Sequence, residues 1–183
     1  MENNSKRAYI ACNGCQEGRL ASSCVKEFLG MNEWTITTDL RRADLVVFYA
    51  CGARQQDETA SIDAIKELQS ETSPKTRIIV WGCLPKINPQ SLSSVYDGPM
   101  IGPKDIGFFE KFGDKKKVKI DNMSANCLVP VKSKQKSMLY KLIQKCESML
   151  FNPEGSDTFY IKVGEGCAGN CSYCSDRIVH GKI

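Results

Sequence analysis

Three cysteines stand close together in "GEGCAGNCSYCSD" (164–176), Cys167, Cys171 and Cys174, with three residues in the first gap and two in the second. Thiolates so spaced converge on one metal group, and the number of them limits which. Structural zinc takes four ligands, usually as paired C-x2-C knuckles, and no second pair exists here. A ferredoxin-type cluster also takes four cysteines in a run, and the residues that follow, "SDRIVHGKI", contain none. Three thiolates on a [4Fe–4S] cube leave one iron without a protein ligand, and an open coordination position is where a substrate or cofactor binds.

A second set of cysteines is scattered. "RAYIAC" (7–12), "ADLVVFYAC" (43–51) and "RIIVWGC" (77–83) each read as a short apolar strand ending at or near cysteine. Between them lie a helix expected from about Ala21 to Leu29, ended by Gly30, and a second on which Ile62, Ile65 and Leu68 recur at helical spacing. Continuously apolar strands separated by helices predict an α/β fold with a parallel sheet covered on both faces. All strand ends of such a sheet share one edge, where open α/β folds place their ligands. Cys15, Cys51 and Cys83 can therefore meet in space as metal ligands. Cys12 competes with Cys15, and the glycines beside Cys15 (Gly14) and Cys83 (Gly82), which let backbone approach a cluster closely, favour Cys15. Cys24, on the first helix, and Cys146, on a helix expected over Ser137 to Leu150, read as core residues. Cys127 is assigned no role.

Composition bounds the alternatives. The chain has 183 residues, ten cysteines and a single histidine, His180, which argues against metal motifs built on paired imidazoles. No apolar run is long enough to cross a bilayer, and the polar start "MENNSKRAYI" lacks a signal core, so a cytoplasmic protein with reduced cysteines is expected. Lys115 to Lys145 holds nine lysines against one acid, a local +8, so the remainder of the +4 chain is net −4. That stretch reads as a solvated linker leading into a helix, or as a non-specific phosphate contact, since lysine without interleaved aromatics supplies no base readout.

The C-x3-C-x2-C spacing with Tyr173 before the last cysteine resembles the motif of radical S-adenosylmethionine (SAM) enzymes. The successive blocks "YIACNGCQ", "ADLVVFYACGARQQDETASIDAIKEL", "RIIVWGCLP" and "KVGEGCAGNCSYC" narrow the resemblance to the methylthiotransferases within that group. It implies a flavodoxin-like N-terminal domain whose Cys15, Cys51 and Cys83 hold one [4Fe–4S] cluster, while Cys167, Cys171 and Cys174 hold a second that binds SAM. It further implies methylthio insertion at an unactivated C–H, on a tRNA adenosine near the anticodon or on a ribosomal protein, with an electron donor such as flavodoxin or ferredoxin. The chain departs from the family pattern at Tyr49-Ala50, usually Asn-Thr, at Asp176-Arg177, usually Ile-Pro, and at His180-Gly181, usually Arg-Gly. These departures leave open a divergent radical SAM enzyme acting on a peptide or small metabolite. An electron carrier with two clusters, or a zinc-stabilised nucleic-acid-binding protein, are the readings from other classes. The expected organisation is an N-terminal domain over 1–120, a basic linker and amphipathic helix over 121–156, and the first strand and cluster loop of a partial (β/α) barrel over 157–183. A catalytic barrel needs far more chain than that, so the sequence reads as a fragment, or truncated reading frame, of a longer enzyme.

Overall fold

The computed structural model describes residues 6–113, 118–123 and 164–181. Strand β1 (Arg7–Asn13) leads into helix α1 (Gln16–Met31), and a two-residue strand β2 (Thr35–Ile36) follows. Strand β3 (Leu45–Ala50), helix α2 (Gln55–Glu71) and strand β4 (Arg77–Trp81) repeat the alternation. Two short helices, α3 (Leu84–Ile87) and α4 (Pro89–Ser93), precede a two-residue strand β5 (Met100–Ile101). Helix α5 (Ser175–His180) follows the cluster loop.

The five strands form one parallel sheet in the order β2-β1-β3-β4-β5. This is the flavodoxin-like order, in which chain direction across the sheet reverses between β1 and β3. β3 lies at the centre with all six residues buried, which is why its sequence is apolar without alternation. Its side chains still alternate between faces. Leu45, Val47 and Tyr49 pack with Val25, Phe28 and Leu29 of α1 and with Trp81 and Phe109. Val46, Phe48 and Ala50 pack on the other side with Ile65 and Leu68 of α2 and with Leu84 and Leu92. The sheet is thus covered by helices on both faces, as the strand pattern predicts. Among the described residues no helix is long and apolar enough to cross a membrane.

Two expectations are corrected. The first helix starts at Gln16 and runs through Gly30 to Met31. Its end is made by Asn32, whose backbone N–H donates to Phe28 and Leu29 and whose Nδ2 donates to the Phe28 carbonyl at 2.8 Å, with Glu33 taking the left-handed conformation (φ 71°). The third strand stops at Trp81, because Gly82 turns out of the ladder at φ 113°. Residues 164–174 are the loop that holds the C-x3-C-x2-C cysteines, and the strand expected before it lies outside the described residues, as do Cys127, Cys146 and the helix expected over Ser137 to Leu150. The edge strands β2 and β5 carry no sequence signal, since two residues cannot display a period.

Candidate metal centres at the sheet edge

Cys15, Cys51 and Cys83 all follow a strand at the carboxyl edge of the sheet, at the N-cap of α1, directly after β3 and at the N-cap of α3. β1 and β3 are hydrogen-bonded neighbours, with Asn13 opposite Ala50, so Cys15 and Cys51 lie on either side of the point where the strand order reverses. The backbone approach is close: a Cβ at Gly14 would stand 3.0 Å from the Cys51 Cβ. Cys12 points into the core and is fully buried, whereas Cys15 is exposed and Cys51 and Cys83 are buried at the edge. Cys12 is a core thiol.

The three edge thiols feel one another. Burial pushes the Cys83 thiol up to about 11; the hydrogen bond to Tyr49 opposes this, and Cys51, Cys15 and Glu17 add to it. Burial also raises Cys51, with an opposing hydrogen bond from the Ala53 backbone and further upward pressure from Asp57 and Cys15. Cys12 goes up to about 12, again chiefly through burial. A bound cation inverts this balance, because metal-coordinated thiols are deprotonated outright.

Around Cys51 the backbone is held by a buried polar network absent from the sequence reading. The Cys51 N–H donates to Asn13 Oδ1 at 3.0 Å, and the Ser61 hydroxyl lies 2.8 Å from that same oxygen and 2.7 Å from the Cys51 carbonyl. Asn13 Nδ2 donates to the Asp57 carbonyl at 3.3 Å. The end of β1 is thereby tied to the loop carrying Cys51 and to α2. Tyr49, which reads in sequence as one more apolar strand residue, is hydrogen-bonded through its hydroxyl to Cys83 Sγ at 3.3 Å.

The loop with Cys167, Cys171 and Cys174 docks beside this edge. Cys174 caps α5, and Val179 on α5 joins the core cluster that contains Cys83. The Cys167 N–H donates to the Gly181 carbonyl at 3.2 Å, closing the loop, and the Gly169 N–H donates to Cys167 Sγ at 3.3 Å. Cys167 and Cys171 are exposed and Cys174 is partly buried. His180 ties the loop to the domain: its Nδ1 is 3.2 Å from Glu165 Oε1 and its Nε2 is 3.8 Å from Glu17 Oε2.

Among the described residues, Glu17, Glu165 and His180 form the one set of three candidate ligand side chains whose donor atoms all lie within 4.8 Å of one another. Two different ring nitrogens face the two carboxylates, so the imidazole bridges them instead of sharing an ion with them. Neither cysteine triplet is that tight. A single zinc holding sulfurs at ~2.3 Å would bring them to within about 3.8 Å of each other. Thiols that each serve a separate iron of one cluster stand further apart than those on one zinc, and three thiolates are a donor set that an iron–sulfur group accepts.

A family profile described as "Uncharacterized protein family UPF0004" matches residues 7–100. The chain is 25% identical to a probable threonylcarbamoyladenosine tRNA methylthiotransferase of Methanothermobacter thermautotrophicus, over 97% of this chain and 38% of that protein. It is 24% identical to the ribosomal protein uS12 methylthiotransferase RimO of Citrifermentans bemidjiense, over 94% of this chain and 37% of that protein. A probable threonylcarbamoyladenosine tRNA methylthiotransferase of Methanocaldococcus jannaschii is 26% identical over 97% of the chain and 37% of its own length. The chain thus spans less than two fifths of the length of these curated relatives.

Proposed function

Because this chain belongs to the UPF0004 family, the N-terminal domain of methylthiotransferases, we propose that it is the N-terminal part of a radical SAM methylthiotransferase. In this reading Cys15, Cys51 and Cys83 hold one [4Fe–4S] cluster, and Cys167, Cys171 and Cys174 hold a second whose open iron takes SAM. Residues 1–120 form the first domain, 121–156 a basic linker and helix, and 157–183 the start of the SAM-binding domain. The observation that carries the reading is the placement of Cys15, Cys51 and Cys83 at the carboxyl edge of the adjacent strands β1, β3 and β4, with the C-x3-C-x2-C loop docked beside that edge.

When bound, the two clusters and SAM supply one-electron chemistry and a carrier for sulfur. The chain's own residues place them. Asn13 and Ser61 hold the Cys51 peptide, Gly14 admits close backbone approach, and the Glu17–His180–Glu165 bridge keeps the cluster loop against α1. Substrate is a matter of the whole enzyme. We favour a tRNA adenosine near the anticodon, which the names of the Methanothermobacter and Methanocaldococcus relatives and the basic stretch from Lys115 to Lys145 support. The RimO relative supports ribosomal protein uS12 as the second reading. Reduction requires an external donor such as flavodoxin or ferredoxin.

Iron and acid-labile sulfide per chain, after anaerobic reconstitution, test the ligand assignment. About eight irons in the parent and about four in a Cys15/Cys51/Cys83→Ala variant are expected. About four in both would reduce the sheet-edge cysteines to packing residues. Stoichiometric zinc without sulfide would overturn the iron–sulfur reading altogether.

A further inference from the structure

The Tyr49 side chain has a buried seat built around it. Its residue is 1% exposed, and its ring packs edge-on against Trp81 with centroids 5.0 Å apart. Two glycines make room for it: a Cβ at Gly18 would stand 2.5 Å from the ring, and one at Gly82 would stand 3.0 Å from it. The overlap at Gly18 would force a shift, and at Gly82 the added Cβ would crowd both the ring and the Ala50 carbonyl oxygen at 2.9 Å, so both glycines leave room that this ring occupies. The result is that the hydroxyl ends 3.3 Å from Cys83 Sγ.

Resting on the cluster reading above, we propose that Tyr49 is a positioning and tuning residue for the iron–sulfur centre at Cys15, Cys51 and Cys83, its hydroxyl donating a hydrogen bond to the Cys83 sulfur. The direction of the bond follows from the ligand's chemistry. A thiolate bound to iron has no proton and can only accept, whereas a phenol can donate. Hydrogen bonds to cluster sulfurs favour the more negatively charged, reduced state, and so raise the reduction potential. In a buried, low-dielectric setting that effect is enlarged. The packing against Gly18, Gly82 and Trp81 directs the ring, and with it the hydroxyl, toward Cys83. Tyr49 therefore sets both the orientation of the Cys83 sulfur and the ease with which the cluster takes up an electron.

The test is a potentiometric titration, followed by electron paramagnetic resonance, of the full chain with Cys167, Cys171 and Cys174 replaced by alanine so that one cluster remains. Into this background go Tyr49→Phe, which keeps the ring, and Tyr96→Phe as a control, because Tyr96 also loses a buried hydroxyl bond, to the Ile78 carbonyl at 2.7 Å, but far from the cysteines in the sheet. Tyr49→Phe is expected to keep its iron and shift to lower potential, by ~59 mV if the bond favours reduction about tenfold. Tyr96→Phe should not shift. An unchanged potential in Tyr49→Phe with iron retained would overturn the inference and leave the cluster assignment standing. Loss of iron from folded Tyr49→Phe would overturn it too, making the hydroxyl a requirement for assembly. Absence of any iron in the Cys167/Cys171/Cys174→Ala background would instead overturn the cluster assignment, and this inference with it.

Discussion

Cys12 and Cys15 are three positions apart and meet opposite surroundings, one facing the α1 side of the core and the other capping a helix at the surface. The strand pleat explains the difference: Cys12 is the last side chain of β1 on the α1 face before the chain leaves the sheet. Thiolate, not thiol, is the nucleophile, so a raised folded-state value means a thiol that stays protonated and inert at neutral pH. In metal-free protein at about pH 8, iodoacetamide should therefore label Cys15 ahead of Cys12 and Cys83. Labelling of Cys83 should climb only as pH approaches about 11, and that of Cys12 nearer 12. Peptide mass spectrometry reads this directly. Early labelling of Cys12 would mean that it, not Cys15, faces the site.

Helix α1 illustrates a conflict between local propensity and packing. Gly18 sits in its first turns, where alanine would raise intrinsic helix stability by about 1 kcal/mol. The added methyl would meet the Tyr49 ring at 2.5 Å, however, and forcing extra volume into a packed site costs roughly 1–3 kcal/mol. Gly18→Ala is expected to lose stability on balance, by up to about 2 kcal/mol in urea unfolding, and to displace Tyr49 from Cys83. A gain near the propensity value would show that the ring has room to move. The same packing logic explains why α1 continues through Gly30: an exposed glycine near a helix end costs little, and the capping bonds of Asn32 decide the boundary.

On the scale of the molecule, two pieces distant in sequence are held as one. The cluster loop touches the α/β domain through Val179 in the core and through His180 between Glu17 and Glu165. Contacts between partly exposed polar side chains contribute on the order of 1 kcal/mol, so the imidazole bridge orients the loop and leaves overall stability to the core. His180→Ala should raise hydrogen exchange at the Cys167 and Gly181 amides, by up to roughly fivefold, and leave the β3 amides unchanged. Equal loosening of β3 would mean that His180 supports the domain itself.

Much of this was legible along the chain. The apolar runs at 43–51 and 77–83 announced buried strands, and their alternation with helices announced a parallel sheet covered on both faces. These features come from periodicity and spacing, which are properties of neighbours in sequence. The tertiary structure alone decided the rest: that β1 lies beside β3, that Cys15 and not Cys12 reaches the edge, that Asn13 and Ser61 hold the Cys51 peptide, and that Tyr49 meets Cys83 from 34 positions away. Each of these is a contact between separate elements, set by strand order and by the volume left where helix and sheet meet, and no local pattern encodes it.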